Sequence, residues 1–206
     1  MKVKILIDRV SRELVDPRNT RWCRDELTQY LNEAIGVIAA KQPGLVAKAT
    51  DLSVTSSPID LPRDGYSLLA VHSINGIAAQ YVLVEKLDHM YPTWQLDKGV
   101  PICWTKREYD LKRFWIYPQP SEPVVVSILY VPEIRISDEE FEISLPNIYE
   151  GALIDFVMYR AYSRDGENVS ESNKSQQHFQ SFLLFLNDDR ALNNTREQQL
   201  EQSILK

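Results

Sequence analysis

Apolar residues recur along this chain at two spacings, and the change from one to the other divides it. Leu6, Val10 and Leu14 stand four apart and predict a short helix over residues 3–15, broken by Asp16-Pro17-Arg18-Asn19. Trp22, Leu27, Leu31, Ala34, Ile35 and Ile38 form the stripe of a second helix over 21–41, which Pro43-Gly44 stops. The most apolar helix lies late, in 145–166. Its Leu153, Ile154, Phe156, Val157, Met158, Ala161 and Tyr162 occupy most of the circumference, so other elements must cover it on several sides. Asn147 is its expected N-cap, with Glu150 three residues on and Gly166 as the stop. At 1.5 Å per residue the second and third helices are roughly 30 and 27 Å long, which predicts that they pack together. A fourth helix is expected over 168–186, opened by Asn168 with Glu171 and buried through Phe179, Phe182, Leu183 and Leu186 in its second half. Its first half is polar all round and either stays solvated or faces a polar partner.

Between the second and third helices the period falls to that of strands. Asn75-Gly76 stands between 68–74 and 77–84, both rich in β-branched and apolar residues, and predicts a type I′ hairpin. Leu61-Pro62-Arg63-Asp64-Gly65 is a turn leading into it. Further strands are expected at 102–106, 113–117 and 124–131, with Pro118, Pro120 and Pro123 punctuating the link between the last two. Residues 188–206 are polar with sparse apolar positions, Leu192, Leu200, Ile204 and Leu205, and predict a flexible tail. The expected class is therefore α+β. It comprises a helical bundle of about four helices (1–48 with 146–187), an inserted antiparallel β domain (49–145) and an extended C-terminal tail (188–206).

Composition narrows the function classes. The 206 residues are 44% hydrophobic, ample for a packed core, and the net charge of −6 argues against a protein that grips nucleic acid through a basic surface. The N-terminal apolar run, Ile5–Ile7, ends at Asp8 and is too short for a signal peptide, and no run approaches the ~20 residues of a membrane span. Cys23 and Cys103, alone and far apart, read as reduced core residues of a cytosolic protein.

Catalytic patterns are missing. His72, His89 and His178 fall at no metal-ligand spacing, and there is no phosphate loop, dinucleotide fingerprint or nucleophile elbow. Neither a metal nor a cofactor is expected, and the acidic pairs Glu139-Glu140 and Asp188-Asp189 read as solvated loops. Trp94, Trp104 and Trp115, with Tyr91, Tyr109 and Tyr117, concentrate among the strands beside Lys106, Arg107, Lys112 and Arg113. They are either sandwich core with a charged outer face or a stacking surface for sugars or single strands. Arg160, inside the most apolar helix, either extends to water along its stem or pairs with a carboxylate of another element or another subunit.

Several fragments, in order, resemble one family. They are Trp22…Asp25-Glu26-Leu27…Tyr30-Leu31-Asn32-Glu33-Ala34-Ile35 with Pro43, Leu61-Pro62, Tyr91-Pro92…Trp94, Trp115-Ile116-Tyr117-Pro118, Leu145-Pro146…Tyr149-Glu150-Gly151-Ala152-Leu153, and Tyr159-Arg160-Ala161-Tyr162-Ser163-Arg164-Asp165 before a helix with His178 and Phe179. Together they are similar to the head-to-tail connector (adaptor) proteins of tailed phages. The resemblance implies a structural virion protein that is not an enzyme. Such a protein forms a ring beneath the portal, usually with the portal's twelve-fold symmetry, continues the DNA channel and offers the docking surface for the tail or nozzle protein. The genome then passes through without sequence-specific binding. The implied location is the virion neck, after assembly in the host cytoplasm, with no membrane step. Leu192, Leu200, Ile204 and Leu205 are the candidate portal-binding tail, and Arg160 is the candidate subunit contact. A neck stopper or tail-completion protein, and a sugar- or single-strand-binding β module, are the competing readings.

Overall fold

The computed structural model describes residues 1–164 and 169–204; for 190 and 192–204 it describes the backbone alone. Among these residues the helices are α1 (Val3–Glu13), α2 (Arg24–Lys41), α3 (Val84–Met90), α4 (Glu150–Ser163) and α5 (Val169–Ile204). The strands are β1 (Lys48–Val54), β2 (Ile59–Asp60), β3 (Gly65–Ile74), β4 (Ile77–Ala78), β5 (Gln80–Tyr81), β6 (Lys98–Gly99), β7 (Cys103–Thr105), β8 (Arg113–Tyr117), β9 (Gln119–Pro120) and β10 (Val124–Pro132). They form two compact units: Met1–Leu45 with Ile134–Lys206, and Val46–Glu133.

In the first unit α4 packs against α1, α2 and α5. It buries Ala152, Leu153, Ile154, Phe156, Val157, Met158 and Ala161. Against them stand Leu6, Ile7 and Val10 of α1, Leu27, Leu31, Ala34, Ile35 and Ile38 of α2, and Phe182 and Leu186 of α5, all buried. Residues 134–145, which the periodicity places with the strands, lie in this unit instead. Their backbone satisfies the N-terminus: Val3 N–H donates to Phe141 O at 3.1 Å, Lys4 N–H to Glu139 O at 2.9 Å, and Ile143 N–H to Met1 O at 2.9 Å.

Helix ends differ from expectation for identifiable reasons. The second helix begins at Arg24 rather than 21, because the Asp16 carboxylate holds the preceding turn. It accepts from the Thr20 N–H and hydroxyl and from the Arg21 and Trp22 N–H groups, at 2.8–3.1 Å. Asn147 does not cap α4; it opens a 3-10 turn, Asn147–Tyr149, from which the helix continues without a side-chain cap. Gly166 and Asn168 lie outside the described residues. The expected tail is helical as far as Ile204, in a single helix of 36 residues. Residues 188–204 contain no Gly or Pro and many Gln, Glu, Arg, Ala and Leu, so nothing local ends the helix at 186. Cys23, expected in the core, is exposed beside the buried Trp22.

Burial alone would raise the Asp16 pKa, but the hydrogen bonds, led by those of Thr20, pull it down to about 2. A carboxylate held below its unfolded value of about 3.9 stabilises the fold above that value and loses its contribution as pH falls through about 2. Asp16→Asn is therefore expected to lower the thermal midpoint at neutral pH, and the gap from the parent to close between about pH 4 and about pH 2. Melting curves across that range check this; a gap independent of pH would assign the loss to packing.

The second unit holds two four-stranded sheets, ordered β1-β10-β3-β4 and β2-β8-β7-β5, and a β6-β9 pair. Leu68, Val71, Ile74, Val126 and Ile128 of the first sheet share a core with Ile59, Trp104, Phe114 and Ile116 of the second. Pairing is antiparallel except for the two-residue ladders β5–β7 and β6–β9, which are parallel. At the hairpin Asn75 and Gly76 both take positive φ, 50° and 78°, and Ile74 pairs with Ile77, as a two-residue loop demands. The strand expected over 77–84 breaks into β4 and β5, and Val84 opens α3. There Val84 and Leu87, three apart, join Trp94 in a second small core backed by Val82, Trp115 and Tyr117.

Candidate assembly interface

The feature that most distinguishes the first unit is α5, whose 36 residues are more than twice the 14 of α4. Its first half is sewn to α4. Phe156 meets Phe182 with ring centres 5.0 Å apart, Tyr159 meets Phe179 at 4.6 Å, and His178 stacks on Tyr162 at 5.9 Å. The residues that look polar all round find polar partners within the chain. Ser175 is buried with its hydroxyl 2.7 Å from that of Ser163, His178 Nδ1 lies 2.7 Å from Asp155 Oδ1, and Arg21 donates to Glu171 at 2.8 Å.

A clasp closes this anchored stretch. The buried Tyr149 hydroxyl lies 2.5 Å from Asp189 Oδ2 and 2.7 Å from Gln42 Oε1, while Gln42 Nε2 donates to Leu186 O at 3.0 Å. Burial, and then the Asp189 carboxylate, push the Tyr149 pKa up, so the hydroxyl stays a donor. The clasp joins the end of α2 and the middle of α5 to the turn before α4. Sequence reading missed it, since Gln42, Tyr149 and Asp189 are unremarkable residues far apart in the chain.

Beyond Asp189 the helix runs on to Ile204, roughly 22 Å at 1.5 Å per residue. Leu192, Leu200 and Ile204 belong to this backbone stretch, with their side chains outside the described residues; Leu205 lies outside them altogether. Arg160 has an in-chain partner: its guanidinium pairs with Glu33 and stands 5.0 Å above the Tyr30 ring. Arg164 extends the row to Glu26 at 2.7 Å, and Tyr30 donates to the same carboxylate at 2.7 Å. Burial, then Glu26, push the Tyr30 pKa up to about 12. This row binds α2 to α4 at the surface, where each ion pair contributes little singly.

The other candidate chemistry disperses. His72 lies in β3, His89 in α3 and His178 in α5. Glu139 is paired with Arg24, Glu140 with Lys2, and Asp189 with Tyr149. Trp94 and Trp104 are buried, with the Trp94 Nε1 donating to Asp88 at 2.7 Å, so these aromatics chiefly build the β core. At the rim Arg107 lies 5.4 Å over Trp115 and donates to the Tyr109 hydroxyl at 2.6 Å. Among the described residues no helix is long and apolar enough to cross a membrane.

What the first unit presents is thus a packed helical body whose longest helix, α5, continues as backbone helix past the bonds at Leu186 and Asp189. No curated protein matches the chain. The family model described as SU10 adaptor protein matches residues 1–203, and the chain belongs to that family.

Proposed function

We propose that this phage structural adaptor forms a ring beneath the portal, probes the portal with the C-terminal part of α5, and offers its other face to the tail. One observation carries the reading: α5 is bonded to the turn before α4 at Asp189, and its backbone continues as helix for fifteen further residues, to Ile204. Leu192, Leu200 and Ile204 are spaced eight and four residues apart, which returns them to one side of a helix. A polar helix with one sparse apolar side suits docking into a groove of a partner already in place. In this reading α5 does as a helix what the sequence assigns to an extended tail.

The ring follows the portal's twelve-fold symmetry, with Arg160 of one copy, a third exposed in its pair with Glu33, at the contact with the next. A net charge of −6 suits a channel through which DNA slides without being held. Copies meet the portal in the host cytoplasm and remain in the virion neck. Portal rings mixed with the protein and sedimented together are expected to retain it, with an added ring visible in micrographs. Retention by isolated tails and not by portal would replace this reading with that of a neck stopper.

A further inference from the structure

The β unit carries a feature that the adaptor reading does not use. β1 pairs with β10 over its whole length, Lys48↔Tyr130 to Val54↔Val124, in unbroken register. Its other side is the edge of the first sheet, and among the described residues no backbone hydrogen bond reaches it there. Edge strands are commonly blunted by a proline, a bulge, short length or charged side chains; of these β1 has only its charges, Lys48, which pairs with Asp64, and Asp51. β1 has seven residues, no proline and no register shift. By contrast, the neighbouring β10–β3 ladder is interrupted three times.

The core is open along the same edge. Leu52 and Val54 pack against the core shared by the two sheets, yet both stay half-buried because no further strand covers them. Past Val54 the chain turns to β2, which is the edge of the second sheet. A shallow groove of about 400 Å³ runs along residues 51–60, between the two edges; Leu52, Val54, Pro58 and Ile59 are its apolar residues, Ser53, Thr55 and Ser56 its uncharged polar ones, and Asp51 and Asp60 its charged ones. Asp60 is neutralised by Arg113 at 2.8 Å, whereas Asp51 is held by the uncharged Ser127 hydroxyl at 2.6 Å and lies exposed on the outer face of β1.

We propose that β1 is a docking edge for an extended segment of another protein, which adds to the sheet as a further strand. Alternate apolar side chains of that segment cover Leu52 and Val54, and basic side chains on its outer face sit beside Asp51. A second copy of this chain is a poor occupant. The other sheet edges among the described residues, β2, β4, β5, β6 and β9, have two residues each, too few to match β1. Pairing of β1 with itself about a two-fold axis through its middle residue sets Asp51 opposite Asp51, where like charges repel. The inference stands on the β unit alone, whether or not a ring forms on the portal.

The test uses the full chain, isotope-labelled, with three synthetic peptides: alternating valine and lysine, alternating valine and glutamate, and the first peptide with alternate backbone amides N-methylated. The valine–lysine peptide is expected to shift the amide resonances of residues 48–54 saturably and to bind about threefold or more tighter than the glutamate peptide. N-methylation is expected to weaken it about tenfold or more, since backbone hydrogen bonds carry the binding. In Asp51→Lys the preference between the lysine and glutamate peptides inverts. Absence of saturable shifts at 48–54, or equal binding of the N-methylated peptide, overturns the proposal. So does concentration-dependent self-association of the chain through the same amides, which would make a second copy the occupant.

Discussion

Trp22→Ala is expected to destabilise the helical unit by about 3–5 kcal/mol, the range for removing a buried large aromatic side chain. Trp22 is 2% exposed although it precedes α2 rather than lying in it. Its indole N–H donates to the Ala161 carbonyl of α4 at 3.1 Å, Tyr162 meets it edge-on at 6.4 Å, and the Arg21 guanidinium covers it at 4.3 Å. The side chain is thus the link through which the Asp16 turn is bonded to the most buried helix. Net stabilities of single domains are about 5–15 kcal/mol, so the loss consumes a large share of the total. Urea titration followed by the helical circular dichroism signal measures it. Trp22→Phe keeps much of the packing and gives up the hydrogen bond, and is expected to lie nearer the parent, by about 1 kcal/mol for the bond itself. A loss below about 1 kcal/mol in Trp22→Ala would mean that the surrounding side chains collapse into the space, as some core sites do.

The helices of this unit were legible because burial imposes a period. Leu27, Leu31, Ala34, Ile35 and Ile38 are all buried where their spacing puts them, and α4 is covered by three other helices as its apolar circumference demands. The Asn75-Gly76 hairpin was legible for a different reason, since few residues besides these accept positive φ at both positions. What escaped was non-local or lacked a period. Nothing in Gln42, Tyr149 or Asp189 announces a clasp joining residues 107 and 40 positions apart. Asp16 reads as a helix breaker, and only the structure shows it gathering the donors of Thr20, Arg21 and Trp22. The helical course of 188–204 escaped because low apolar content alone does not separate a solvated helix from a flexible tail, whereas the same Gln, Glu and Arg residues are good helix formers. Val84–Met90 escaped because a seven-residue helix is too short to separate its spacing from that of a strand.

A chain ending at Ala191 is expected to fold as the full protein does and to lose its hold on portal rings. The end point follows from the clasp. Asp189 accepts from Tyr149, and Leu186 accepts from Gln42, so a cut at either residue would remove part of the body together with the candidate docking segment. Ending at Ala191 keeps both bonds and removes Leu192, Leu200, Ile204 and Leu205. Each leucine or isoleucine fully buried on docking contributes about 1.5–3 kcal/mol. Loss of two such contacts corresponds to roughly a hundredfold to ten-thousandfold in affinity, before any avidity of the ring is counted. Co-sedimentation over a range of protein concentrations reads this loss, and thermal melting shows whether the body is intact. A chain ending at residue 185, which gives up the clasp and the buried Leu186 side chain as well, is expected to melt lower by an amount that reflects about 1 kcal/mol per lost hydrogen bond and about 1.5–3 kcal/mol for Leu186. Comparison of the two truncations separates docking from folding. If the chain ending at Ala191 sediments with portal as the full chain does, the end of α5 is not the anchor, and the helical body itself must carry the contact.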